Sequence, residues 1–89
     1  MIERQLTIIN RLGLHARASA KLVRTLAPFD ATVLLTYRGK EINAKSIMGL
    51  MMLAAARDAV VTLRADGRDA EAAADAAAAL VAARFGEDE

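Results

Sequence analysis

Residues 10–21 read NRLGLHARASAK, and they hold the only histidine of the chain. After His15, small and apolar residues recur at helical spacing as far as Pro28, which cannot continue a helix because it lacks an N–H group. Gly13 marks a turn on the other side of the histidine. The sequence therefore predicts that His15 stands at the N-cap of an amphipathic helix, a position where an imidazole is a poor cap.

The residues around His15 favour phosphate chemistry. A helix N-terminus offers free N–H groups and the positive end of the helix dipole, which together bind phosphate. Arg17 adds a guanidinium group that matches phosphoryl oxygens, and a neutral imidazole is a nucleophile. Spacing alone leaves an alternative open, because a lone histidine at a loop–helix junction is more often an ordinary surface residue.

Two separated motifs, GLHAR at residues 13–17 and NAKSIMG at residues 43–49, resemble the HPr family, the histidine-containing phosphocarrier proteins of the phosphotransferase system. The resemblance covers nearly the whole chain. It implies that His15 is the phosphorylated residue and that Arg17 stabilises the phosphate. It also implies enzyme I as the donor, enzyme IIA-type proteins as acceptors, and a stoichiometric carrier rather than an enzyme.

The predicted elements follow the order βαββαβα within one domain, residues 1–89. We expect an α+β fold with a four-stranded antiparallel sheet and three helices on one face, and the resemblance implies an open-faced β-sandwich. Asp69 is expected to cap the last helix, and residues 87–89 are expected to fray. The predicted strands are 2–9, 32–37, 40–42 and 59–65, and the predicted helices are 16–27, 47–53 and 70–85.

Charge is unevenly distributed along the chain. The net charge is +1, but residues 1–50 carry +5 and residues 51–89 carry −4. The small total argues against general nucleic-acid binding. Arg17, Lys21 and Arg24 follow helical spacing and so form one helix face. This basic face is either simply solvated or a docking surface for acidic partners beside the histidine.

Ser46 precedes a short apolar segment, IMGLMML at residues 47–53. Serine is a preferred N-cap, and a helix this short cannot bury every side. We therefore expect Ile47, Met48 and Met51 to form a partner-binding surface; alternatively, the methionines fill gaps in the core. The family resemblance implies that Ser46 is a regulatory phosphorylation site for an HPr kinase/phosphorylase.

Other chemistries find little support in the sequence. The chain has one histidine and no cysteine, so we expect neither a metal nor a cofactor. No apolar run is long enough to span a membrane and the first residues do not resemble a signal peptide, so we expect a monomeric, cytoplasmic protein. Two alternatives remain: a nitrogen-branch regulatory phosphocarrier, and an α+β protein-binding module in which His15 is not phosphorylated.

Overall fold

The computed structural model describes all 89 residues, Met1–Glu89. It confirms an α+β domain with one four-stranded antiparallel sheet and three α-helices. The strands lie in the order β1-β4-β2-β3. In chain order the elements are β1 (Ile2–Thr7), α1 (Ala16–Leu26), β2 (Thr32–Tyr37), β3 (Lys40–Asn43), α2 (Ile47–Leu53), β4 (Val60–Asp66) and α3 (Ala70–Ala82).

The helices cover only one face of the sheet. Along the central strand β4, Val61 and Leu63 are buried whereas Val60 and Arg64 are exposed, because successive side chains point to opposite faces of a strand. Helix α3 packs across β1, β4 and β2, helix α1 packs against both other helices, and α2 lies over β3. One apolar core therefore fills the space between the sheet and the helices.

The last helix ends earlier than the apolar pattern predicts. Helix α3 ends at Ala82, and a short 3-10 turn, Arg84–Gly86, follows it. Arg84 and Phe85 have positive φ angles of 57° and 55°, a left-handed conformation that is unfavourable for residues with a Cβ. Phe85 is nevertheless fully buried, so the apolar contact of its ring offsets the strain of this turn.

The predicted capping role of Asp69 is wrong. Asp69 does occupy the N-cap position of α3, but its side chain makes no hydrogen bond to the helix. Its carboxylate instead accepts from the backbone N–H of Asp30 at 2.7 Å. Asp69 therefore ties the start of α3 to the loop that follows α1, a contact that no local pattern predicts.

The C-terminal tail, residues 87–89, is ordered rather than frayed. The backbone N–H of Arg11 donates to the carbonyl oxygen of Glu89 at 2.9 Å, and the side chain of Glu87 is only 16% exposed. The tail thus lies along the loop that joins β1 to α1. None of the helices combines the length and the apolar character needed to cross a bilayer.

Candidate functional site

His15 occupies the predicted N-cap of α1. Its backbone is extended, with φ −75° and ψ 179°, and its side chain makes no capping hydrogen bond. The helical hydrogen bonds begin with Ser19, whose N–H donates to the carbonyl of His15 at 2.9 Å. The N–H groups of residues 16–18 have no partner in the chain. Ala18 is fully buried, whereas Ala16 and Arg17 are exposed, so two accessible donors remain at the positive end of the helix dipole beside the imidazole.

The loop before His15 is held by backbone contacts. The N–H of Leu14 donates to the carbonyl oxygen of Ala55 at 3.0 Å, and the hydroxyl of Ser19 donates to the carbonyl of Leu14 at 3.2 Å. Gly13 lies against the same segment with a φ of +65°. The segment that follows α2 thereby fixes the start of α1, and with it the position of His15.

The imidazole of His15 contacts a carboxylate that the sequence prediction missed. Its Nε2 lies 2.5 Å from Oε2 of Glu87, and the side chains are 27% and 16% exposed. The other carboxylate oxygen, Oε1, accepts from Nδ2 of Asn10 at 3.0 Å. Because Glu87 lies 72 residues from His15, no local signal could have linked them. The sequence prediction identified the histidine but not this partner.

The charge of Glu87 is stabilised by its neighbours. Burial by itself raises the pKa of the Glu87 carboxyl, but hydrogen bonds from Asn10 and His15 lower it. Electrostatic interactions with His15 and Lys21 act in the same direction, and together these contacts hold the pKa of Glu87 below its usual value of 4.5. Glu87 is therefore an ionised hydrogen-bond acceptor at neutral pH.

Arg17 lies on the open side of the site. It is exposed and forms no hydrogen bond or ion pair within the chain, so its guanidinium is free to meet an anion. An open cleft of about 660 Å³ borders His15, Ala16, Arg17 and Glu87. The structure thus brings together the two residues that the sequence predicts for phosphate chemistry. No three side chains of the metal-binding types converge at this cleft or elsewhere.

The predicted basic face of α1 is divided between two roles. The ammonium group of Lys21 donates to the carbonyl oxygen of Phe85 at 2.6 Å and is half-buried there. One of its three N–H donors thus holds the turn after α3. Arg24 is exposed and unpaired. Arg17 and Arg24 are therefore the free cations of this helix face.

Ser46 and the apolar segment after it lie as the sequence predicts. The hydroxyl oxygen of Ser46 accepts from the N–H of Gly49 at 3.0 Å, so this residue caps α2. Leu50 and Leu53 belong to the core. The exposed side chains are Ile47, Met48 and Met51, at 41%, 73% and 47%, and also Met52, which the sequence prediction did not single out. These four residues are called the α2 patch below.

Comparison with known proteins identifies the family. The family model described as "PTS HPr component phosphorylation site" matches residues 2–83. The chain is 54% identical to the phosphocarrier protein HPr of Cupriavidus necator over the full length of both. It is 46% identical to the phosphocarrier protein NPr of Shewanella violacea, over 97% of this chain and 94% of that protein.

The fold agrees with these matches. The crystal structure of HPr-C-His from Thermoanaerobacter tengcongensis has 40% sequence identity and a TM-score of 0.96 over the full length of both chains. The family model, the curated relative and the solved structure each cover the His15 loop, α1 and the sheet. The chain therefore belongs to the HPr family, the phosphocarrier proteins of the phosphotransferase system.

Proposed function

We propose that this protein accepts a phosphoryl group on His15 from enzyme I and passes it to enzyme IIA-type acceptors. The observation that carries the proposal is the surroundings of the imidazole. Its Nδ1 has no hydrogen-bond partner in the chain, the free N–H groups of the exposed Ala16 and Arg17 lie at the start of the same helix, and the side chain of Arg17 is unpaired. A free ring nitrogen can accept a phosphoryl group, and the N–H groups and the guanidinium can stabilise its negative charge.

The transfer needs positioning and charge stabilisation more than acid–base catalysis. In the transition state of the transfer, the phosphoryl group carries its charge on three equatorial oxygens. The N–H groups of Ala16 and Arg17 and the guanidinium of Arg17 can each donate to those oxygens. Because the same groups stabilise the charge when the phosphoryl group arrives and when it leaves, the site suits a reversible carrier that is modified once in each cycle.

The α2 patch supplies a docking surface beside this site. Helix α1 packs against α2, and the N–H of Leu14 donates to the carbonyl oxygen of Ala55, so the His15 loop is joined to the segment that follows the patch. Exposed methionines adapt to several partner shapes, which suits a carrier that meets both a donor and acceptors. Arg24, on the same side as Arg17 along α1, would attract acidic partners.

Regulation through Ser46 is part of the proposal. Its hydroxyl caps α2, and a phosphate there would lie at the positive end of a helix, where negative charge is favourable. The same charge would stand next to Ile47 and Met48. Desolvating it against a docked partner is costly, so phosphorylation of Ser46 by an HPr kinase/phosphorylase would weaken docking without unfolding the helix.

One comparison favours a second candidate, a regulatory carrier of the nitrogen branch. The relative from Shewanella violacea is named NPr and is 46% identical to this chain. Both candidates use His15 in the same chemical role, and they differ in the donor and acceptor proteins that dock. Phosphorylation rates with enzyme I of the sugar branch and with its nitrogen-branch counterpart, measured side by side, distinguish the two.

The central experiment incubates the protein with enzyme I and radiolabelled phosphoenolpyruvate. We expect acid-labile phosphate on the wild type and none on His15→Ala, which should still fold because His15 lies outside the apolar core. Subsequent addition of an enzyme IIA protein should remove the label. A wild type that takes up no label would refute the carrier function and favour a binding module in which His15 is not modified.

A further inference from the structure

The two oxygens of the Glu87 carboxylate have different partners. Oε2 contacts Nε2 of His15 at 2.5 Å, and Oε1 accepts from Nδ2 of Asn10 at 3.0 Å. Both the histidine and the glutamate are largely shielded from water, and such a charge-assisted contact is stronger than one on an exposed surface. The carboxylate is therefore held in one orientation against one nitrogen of the ring.

Asn10 is oriented for this contact. It is fully buried, and its amide nitrogen donates to the carbonyl of Gly13 at 2.9 Å as well as to Glu87. Both N–H groups are thus used, while its Oδ1 is a buried acceptor without a partner. A buried acceptor left unpaired is destabilising, so the Oδ1 atom does not favour this orientation. The two hydrogen bonds that the amide nitrogen donates, to Gly13 and Glu87, determine it.

The chain also reaches Glu87 through a strained turn. Arg84 and Phe85 adopt left-handed backbone conformations immediately before Gly86, and Lys21 binds the carbonyl of Phe85 at 2.6 Å. Strained backbone persists only where surrounding contacts enforce it, and here those contacts are the buried Phe85 ring and the ammonium group of Lys21. The turn thereby places the carboxylate of Glu87 against the imidazole of His15.

An ionised carboxylate can only accept hydrogen bonds. The nitrogen that faces it must therefore carry the hydrogen, and in a neutral imidazole the other nitrogen then has the free lone pair. We propose that Glu87, held by Asn10, is a positioning residue for phosphoryl transfer: it keeps the hydrogen of the His15 ring on Nε2, so that Nδ1 is the nucleophile. This inference rests on the carrier function proposed above.

The transfer step balances without a proton leaving the ring. The lone pair of Nδ1 forms a bond to the phosphorus of a donor phosphohistidine as the donor N–P bond breaks. The electron pair of that bond goes to the donor ring, which was protonated on its other nitrogen and leaves as neutral imidazole. His15 now holds the phosphoryl group on Nδ1 and the hydrogen on Nε2, and the positive charge of its ring faces Glu87.

The same contact favours the onward step. A phosphorylated imidazole that keeps its second hydrogen leaves as a neutral ring when the phosphoryl group moves on, and a neutral ring is a better leaving group than an anion. Glu87 stabilises that protonated form. It also occupies the space in front of Nε2, so a phosphoryl group has access to one ring nitrogen only.

The test compares Glu87→Gln with wild type and with Asp88→Asn. Because Asn10 donates to one end of residue 87, a glutamine amide oxygen would meet Asn10 and its NH2 group would meet Nε2 of His15. The substitution should therefore reverse the tautomer of the ring. Asp88→Asn removes the same charge from the same tail, where the Asp88 carboxylate contacts no partner, and should leave the ring unchanged.

Long-range proton–nitrogen NMR spectra of the neutral ring report the tautomer directly, and the same spectra show whether each variant is folded. We expect the hydrogen on Nε2 in wild type and Asp88→Asn, and a shift toward Nδ1 in Glu87→Gln. The kcat of phosphorylation by enzyme I and phosphoenolpyruvate should fall on the order of tenfold or more in Glu87→Gln, with KM nearly unchanged, because the wrong tautomer presents no lone pair.

The outcomes separate this inference from the carrier function. If wild type is phosphorylated and Glu87→Gln keeps both its tautomer and its kcat, Glu87 has no positioning role. A shifted tautomer with an unchanged kcat also overturns the role. If wild type is not phosphorylated at all, the carrier function fails and the positioning role in transfer fails with it, whatever the tautomer.

Discussion

The backbone of Gly13 lies so close to Ala55 that a Cβ added to the glycine would stand 2.5 Å from the carbonyl oxygen of Ala55. No real Cβ approaches a backbone oxygen so closely, and the φ of +65° at Gly13 is itself unfavourable for a residue with a side chain. The contact joins the loop before His15 to the segment after α2. It therefore couples the position of His15 to the position of the α2 patch.

Gly13→Ala should destabilise the fold by about 2–5 kcal/mol, the sum of left-handed strain and a steric clash. Gly39→Ala is the matched control, because Gly39 has a φ of +78° and nothing within 4 Å of its added Cβ. That variant should lose only the strain, about 1–2 kcal/mol. Urea unfolding of both variants measures the difference. Equal losses would show that the segment around Ala55 yields easily and does not hold the loop.

Arg17→Ala should slow phosphorylation of His15 without abolishing it, because the backbone N–H groups of residues 16 and 17 remain. Loss of one charge-assisted contact costs about 1.5–3 kcal/mol, which corresponds to about 10- to 150-fold in rate. Arg68→Ala removes the same charge from an exposed loop near Asp69 and Asp30, beyond the other end of α1. The rate with enzyme I should be unchanged in that control, and a wild-type rate in Arg17→Ala would contradict the assigned role.

Two substitutions of Ser46 separate capping from regulation. Ser46→Ala removes the acceptor for the N–H of Gly49 and should cost about 1 kcal/mol, with phosphorylation of His15 little changed. Ser46→Asp keeps an acceptor at the helix start, so its stability should stay close to that of wild type. Its added charge beside the α2 patch should slow phosphorylation by enzyme I. Equal rates for the two variants would leave Ser46 as a cap only.

Acid should weaken the attachment of the tail. Because the pKa of Glu87 lies below 4.5 in the folded protein, the folded state binds fewer protons than the unfolded state between that lowered pKa and 4.5. The stabilisation from Glu87 is fully present above about pH 4.5 and is lost as the pH falls through the folded pKa. Urea unfolding across this range should show a steeper loss in wild type than in Glu87→Gln. Parallel curves would indicate that the contact contributes nothing to stability.

The features that sequence reasoning predicted depend on nearby residues. His15 at the N-cap of α1 and Ser46 at the N-cap of α2 follow from the apolar pattern immediately after each residue, and the structure confirms both positions. The overall fold was predicted from the order of the elements together with the resemblance to the HPr family. The exposed side chains of the α2 patch follow from the shortness of that helix.

The features that were missed depend on contacts between distant parts of the chain. Glu87 has no signal of its own, because its partners Asn10 and His15 are 77 and 72 residues away. Asp69 looks like a cap until its bond to Asp30 is seen. Lys21 looks like a free surface cation, and only the turn at Phe85 gives it a partner. Each error assigned a local role to a side chain whose partner lies elsewhere.

The strand order β1-β4-β2-β3 has a consequence for how the protein acquires its site during folding. The β2–β3 hairpin can close early because its strands are adjacent in sequence, whereas β1 pairs only with β4, the last strand to be reached along the chain. Closing such distant pairs is slow. The loop that follows β1 is anchored by Ile8, whose N–H and carbonyl bond to Ala59 and Asp58 at 2.9 and 2.7 Å. Helices and hairpin can therefore form before the loop that carries His15 is anchored, and that loop reaches its final position only with the last strand pairing.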